Sequence, residues 1–241
     1  MRLQTTARLA VGLALLLSAR GAPAQGIFEN LGFESAKLVP VPGDPPFYDF
    51  AQAFPGWTGH IGGVQGGLAL SNRLNMDSAG FSIIDHNFSN PYNRAGGLIE
   101  GNYTAVLMSG ISGINQQSDT TMGQTGLVPA GTESLWFKAH LDIADFTGSF
   151  GVTLGGDTLS LIPVQSGTNY TLYAADIHAW AGQTAELDFT VFANHPQHGG
   201  DNYLYLDSIQ FSDQRVPEPG VLGLLGSGAL LLGWRVLRRR R

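Results

Sequence analysis

The 241-residue chain has no cysteine, few charged residues (13%) and no long helical periodicity. The missing thiols exclude disulfides, thiolate metal sites and cysteine nucleophiles, so stability must come from the core or from bound ions. Cations are scarce where a globular body would need them to grip phosphates. Of 13 Lys and Arg, eight lie at the two ends (Arg2, Arg8, Arg20, Arg235 and Arg238 to Arg241), leaving five in the body against nearly all of the 19 acids. A strongly acidic body repels phosphate backbones, which excludes nucleic acid as a partner and leaves cations and neutral polymers. Also missing are a Gly-x-Ser-x-Gly elbow, a phosphate-cradling loop and a zinc-protease helix motif.

What is present begins with two apolar ends. Residues 1–24 carry Arg2 and Arg8, then the apolar stretch Leu9 to Leu17, then Ala22-Pro-Ala24. A basic start, short apolar segment and small-x-small site are the parts of a secretory signal peptide, with cleavage expected after Ala24 by signal peptidase. Residues 215–241 hold Val216-Pro217-Glu218-Pro219, an apolar stretch from Gly220 to Trp234, and the basic residues Arg235, Arg238, Arg239, Arg240 and Arg241. The prolines keep the backbone extended and block helix propagation from upstream. The apolar stretch is marginal for crossing a bilayer core, and the arginines orient it with their end in the cytoplasm.

This order of Pro-Glu-Pro, short apolar helix and terminal basic cluster resembles the PEP-CTERM sorting signal of Gram-negative bacteria. The resemblance implies that Pro217, Glu218 and Pro219 are recognition residues for exosortase. It further implies export through the inner membrane, transient anchoring there, and delivery to the cell envelope or extracellular matrix.

Between these ends, residues 25–214 suffice for one domain with a substantial core. Leu135, Phe137, Ala139 and Leu141 alternate with Trp136, Lys138 and His140, and Leu187, Phe189, Val191 and Ala193 alternate with Glu186, Asp188 and Thr190. Such alternation marks half-buried strands. Further strands are expected at 81–85, 103–108, 150–154, 158–162, 170–174 and 203–211, with Gly155-Gly156-Asp157 as a hairpin turn and Pro129-Ala130-Gly131 as another turn. The predicted fold is all-β, an antiparallel β-sandwich of jelly-roll type, with residues 59–67 as a long glycine-rich loop. In the last strand Leu204 and Leu206 are out of phase with Ile209 and Phe211, which predicts a bulge at Asp207 and Ser208 that re-aims Asp207.

Asn30-Leu-Gly-Phe-Glu34 and Leu204-Tyr-Leu-Asp-Ser-Ile209 resemble the first and last strands of galactose-binding-like jelly rolls, the fold of many carbohydrate-binding modules. Trp136-Phe137 after Pro129-Ala130-Gly131, then Asp176-Ile177 and Ala181-Gly182-Gln183, is similar to the body of many PEP-CTERM proteins. In the resembled modules a Glu of the first strand and an Asp of the last hold a structural Ca²⁺, which maps onto Glu34 and Asp207. The alternative for these two residues is a pair of solvated or N–H-bonded carboxylates.

Trp57, Trp136, Trp180, Tyr48, Tyr92 and Tyr103 are candidate stacking faces for sugar rings, since aromatics combine apolar area with a polar edge. Trp136 leads because it shares its strand face with Lys138 and His140. His195, His198 and Asp201 form a candidate metal set, but their proline-containing spacing matches no metal signature and reads as a polar loop. Asp142, Asp145, Asp176, Glu186 and Asp188 are candidates for paired acids, which glycoside hydrolysis needs about 5 to 10 Å apart across a cleft. The function expected is a non-catalytic envelope or matrix protein that binds or organises exopolysaccharide. The alternatives are a polysaccharide-active enzyme and a structural surface protein without a ligand.

Overall fold

A computed structural model of the protein describes residues 27–43, 46–75, 78–91, 95–112, 116–143, 148–193 and 202–216. The leader, the Pro217-Glu218-Pro219 motif, the arginines at 235 and 238–241, Tyr92, Asp145 and the 195–201 segment lie outside them. No helix among the described residues is long and apolar enough to cross a membrane.

The strands in chain order are β1 (Tyr48–Asp49), β2 (Thr58–Ile61), β3 (Val64–Gln65), β4 (Leu68–Ser71), β5 (Gly80–Ile84), β6 (Thr104–Ser112), β7 (Gln116–Ser118) and β8 (Thr120–Leu127). They continue with β9 (Ser134–Ile143), β10 (Ser149–Leu154), β11 (Asp157–Thr158), β12 (Ile162–Ser166), β13 (Thr171–Asp176), β14 (Thr184–Phe192) and β15 (Asn202–Ser212). A single helical turn, Phe50–Ala53, and a 3₁₀ turn at His178–Trp180 are the described helices.

The strands form two sheets, as the alternation predicts. The larger has nine strands in the order β1-β4-β5-β6-β15-β9-β13-β12, with β7 on β6; the smaller has six in the order β11-β10-β14-β8-β2-β3. All pairings are antiparallel except β4 with β5. Between the sheets lies the main core, where Leu135, Phe137 and Ala139 of β9 meet Leu187, Phe189 and Val191 of β14, all fully buried. Phe137 and Phe189 meet edge to face, 5.1 Å between ring centres, a favoured aromatic geometry.

A second, smaller cluster sits on the opposite face of the large sheet. Leu70, Ile84, Val106, Met108, Tyr203 and Tyr205 turn outward there and are covered by Phe47, Leu74, Phe88 and Ile99 from the loops. That cover spans the β4-β5-β6-β15 side of the face. On β9 and β13 the outward Trp136, Lys138, Leu172 and Asp176 are less fully covered, and they line the hollows described below.

Three sequence expectations are corrected. Residues 59–67 are not a loop: β2 and β3 form a hairpin on the edge of the small sheet, turning through Gly62 and Gly63 at φ of 56° and 80°. Two consecutive positive φ angles are what a two-residue primed turn requires, and glycine supplies them without a Cβ clash. Gly59 has a separate reason, since a Cβ there would lie 2.7 Å from the rings of Phe50 and Phe81. The 30–34 segment is not a strand but a turn, with Asn30 and Phe33 at φ of 51° and 59° and Phe33 N–H donating to Asn30 C=O at 3.1 Å. The expected strand at 158–162 is divided, its first residue ending β11 and its last opening β12.

Candidate functional site

The site grows from the phase slip in β15. Its pairing with β9 is regular through Asp207 opposite Lys138, shifts, and resumes at Gln210 opposite Trp136. Ser208 takes a φ of 51° to make the bulge, so Leu204, Leu206 and Ile209 all face the main core while Asp207 is re-aimed, as the sequence phase predicts.

Asp207 ends up buried, 1% exposed. Its Oδ1 accepts the Ser208 N–H at 2.6 Å, and its Oδ2 accepts the Thr104 hydroxyl at 2.7 Å and the Glu100 N–H at 3.2 Å. Burial pushes its pKa up to about 6 against the pull of those donors, because the desolvated carboxylate loses more than the hydrogen bonds return. Glu34 grips the same loop from its other end. Its Oε1 accepts the N–H groups of Asn102 at 2.8 Å and Tyr103 at 3.3 Å, and its Oε2 accepts the Asn102 amide at 2.8 Å.

The two carboxylates mapped to calcium therefore clasp one turn, residues 100–104, through hydrogen bonds. Calcium takes six to eight oxygen ligands, whereas each oxygen of this pair faces N–H or O–H donors. Among the described residues no group of three His, Asp or Glu gathers at any point. The donor set fits N–H groups and not a cation.

Glu100, held by its backbone on Asp207, turns its side chain outward. It pairs with Lys138 Nζ at 2.6 Å and accepts the Ser208 hydroxyl, and those two contacts hold its pKa below the usual carboxylate range. Lys138 also stands 5.1 Å above the Tyr170 ring, within cation–π reach. The covering loop rests closely on β15 at Gly96, where a Cβ would come 2.1 Å from the Tyr205 ring. Asn169 donates to Leu98 C=O at 2.7 Å and ties the loop to the β12–β13 connection.

Beside this edge is a hollow of about 520 Å³ on the outer face of the large sheet. It is lined by Glu100, Lys138, Trp136, Leu172, Ser208, Gln210, Ser212 and Gln214. Trp136 is half-buried. Its indole N–H donates to Ser134 Oγ at 2.6 Å, and Ser134 in turn donates to Gln214 C=O at 2.5 Å. The indole is thus oriented by its own edge, and Gln210 and Gln214 with Ser208 and Ser212 surround it with uncharged donors and acceptors. Of the candidate aromatics among the described residues, only Trp136 has such surroundings. Trp57 is a core residue, 4% exposed, with its N–H on Asn30 C=O at 3.2 Å. Trp180 and Tyr103 pack against the main core, and Tyr48 sits in the short edge strand β1.

A second hollow of about 350 Å³ is lined by Glu133, Asp176, His178, Arg215 and Val216. His178 meets Asp176 at 2.7 Å and Arg215 meets Glu133 at 3.2 Å. The His178 backbone N–H, then its ring, hold the Asp176 pKa low. Sequence reasoning missed Gln210 and Ser212, which the β15–β9 register brings to Trp136 and Ser134, and Glu100 and Gln214, which arrive through hydrogen bonds to Asp207 and Ser134.

Among the described candidate acids, only Glu186 and Asp188 are neighbours, on one strand. Asp176 is on the outer face of the large sheet, Glu186 and Asp188 are on the outer face of the small one, and Asp142 is buried. Burial, then the neighbouring Glu186, raises the Asp188 pKa. Asp207 and Glu100 are pushed in opposite directions, the pattern of an acid and a base. However, Asp207 is sealed under the Glu100 backbone with both oxygens engaged, and it cannot reach a glycosidic oxygen.

No protein-family model matches the chain, and no curated protein matches it. Among solved structures, it is similar to TmCBM61, solved in complex with β-1,4-galactotriose, at 12% identity and a TM-score of 0.42, over 79% of this chain and 100% of that one. It is also similar to the enzymatically active domain of tailspike protein 4 of bacteriophage CBA120, at 15% identity and a TM-score of 0.35, over 66% of this chain and 19% of that one.

Proposed function

We propose that the protein is a non-catalytic binder of a neutral polysaccharide, held in the hollow around Trp136 on the outer face of the large sheet. The observation that carries this reading is an oriented, half-buried indole ringed by glutamine and serine side chains. An aromatic face offers apolar area to the C–H side of a sugar ring, and uncharged amides and hydroxyls can both donate to and accept from its hydroxyls. The cation at the hollow, Lys138, is already paired with Glu100, which disfavours an acidic polymer.

In this reading the domain is a galactose-binding-like jelly roll. Signal peptidase removes the leader, the chain is exported through the inner membrane, and exosortase cuts the tail at Pro217-Glu218-Pro219, leaving the protein in the envelope or matrix with exopolysaccharide as partner. The support is the order of the Pro-Glu-Pro motif, apolar stretch and arginines in the sequence.

Affinity electrophoresis through gels containing neutral polysaccharides tests the binding. Retardation by at least one polymer, lost in Trp136→Ala and unaccompanied by release of reducing ends, is the expected result. Retardation that survives Trp136→Ala would remove the hollow from the account, and reducing-end release would favour the enzyme.

A further inference from the structure

Resting on that reading, we infer that the two hollows are one track, and that it takes an extended internal stretch of a linear neutral polysaccharide and not a single sugar or chain end. The register places them in line. Along β9, Lys138, Trp136 and Ser134 sit opposite Leu172, Ala174 and Asp176 of β13, and Trp136 and Ser134 sit opposite Gln210 and Ser212 of β15.

Residues directly paired in an antiparallel sheet project from the same face, and alternate residues stay on it. Asp176, which lines the second hollow, is therefore on the face of Trp136, and four residues of strand separate its level from that of Lys138. At about 3.3 Å per residue this is about 13 Å, before the His178 and Arg215 side chains extend it.

An ion pair stands at each end of the track. Glu100–Lys138 closes one, and Asp176–His178 with Glu133–Arg215 closes the other. Arg215 and Lys138 are two of the four Lys and Arg among the described residues, the others being Lys37 and Arg73. Each is paired with a carboxylate, so neither cation is free to attract an acidic polymer, and Asp176, whose partner His178 is charged only when protonated, adds a carboxylate at the second end. Gln214 joins the hollows: it lines the first, and its carbonyl accepts from Ser134 just before the chain reaches Arg215 in the second.

The test is calorimetric titration of the full protein with cello-, xylo-, manno- and β-1,4-galacto-oligosaccharides, from disaccharide to hexasaccharide, at low and high salt. Asp176→Ala/His178→Ala alters side chains 66% exposed, so folding is spared. The expected result is affinity rising roughly tenfold or more with chain length in at least one series, about 1.4 kcal/mol, unchanged by salt. That rise should be lost in the double variant while disaccharide binding is kept. Equal affinity for all lengths, or a double variant that binds like wild type, overturns the track but leaves the Trp136 reading intact if Trp136→Ala still weakens every oligomer. Strong salt dependence overturns the neutral ligand, and no binding in any series overturns both.

Discussion

Trp136 and Ser134, two residues apart on one strand face, are joined by an indole N–H to hydroxyl hydrogen bond of 2.6 Å, and the same hydroxyl donates to Gln214 C=O. One serine thus sets the angle of the ring and fastens the chain as it leaves β15. Replacing Ser134 with alanine removes both bonds from a fully buried position, at a cost of about 1–3 kcal/mol. A urea midpoint should register the loss, and polysaccharide affinity should fall several-fold beyond it as the indole loses its orientation. Unchanged affinity in a folded Ser134→Ala protein would show that the ring needs no such support.

Asp207 makes stability depend on pH in a definite direction. Its folded pKa of about 6 lies above the ordinary 3.8, so the native state holds the proton more tightly than the unfolded chain. Its contribution is fully present below pH 3.8 and is lost as pH rises through 6, amounting to about 3 kcal/mol at most. Asp188, also raised, acts in the same sense. Glu100 and Asp176, both lowered, act oppositely, but they are exposed and screened. Denaturant midpoints for wild type and Asp207→Asn should therefore differ in slope between pH 4 and 6. Parallel profiles would mean that Asp207 titrates normally.

The Glu34 clasp predicts indifference to calcium. Added Ca²⁺ and added chelator should give the same melting temperature, while Glu34→Ala, which strips three hydrogen bonds from the 100–104 turn, should cost about 1–3 kcal/mol. A calcium-dependent rise of several degrees that Glu34→Ala abolishes would restore the metal.

Gly59→Ala should destabilise by about 1–3 kcal/mol, the usual penalty for forcing atoms into a packed core, because the new Cβ would meet two phenylalanine rings at 2.7 Å. A thermal melt within error of wild type would contradict the packing of the β2–β3 hairpin against Phe50 and Phe81.

That hairpin also shows what could be read from the sequence and what could not. Strands with strict alternation, such as β9 and β14, were legible because their inward residues are large and their outward ones polar. β8 was not, since Gly123 and Gly126 interrupt its alternation; their Cβ positions are taken by Asp188 and Phe28 from other segments, contacts visible only in three dimensions. The bulge at Asp207 and Ser208 was legible because one extra residue reverses the phase of Ile209 and Phe211. Its consequence was not, because Glu100 and Thr104, which meet Asp207, are more than a hundred residues away. Trp136 stood out by its strand face, whereas the glutamines and serines around it depend on β15 register.

The most direct test is calorimetric titration of neutral polysaccharides into wild type and Trp136→Ala, with the fold of both checked by circular dichroism. The account predicts saturable, salt-insensitive binding to wild type that falls at least tenfold, about 1.4 kcal/mol, in the variant. Equal binding by two equally folded proteins would contradict it.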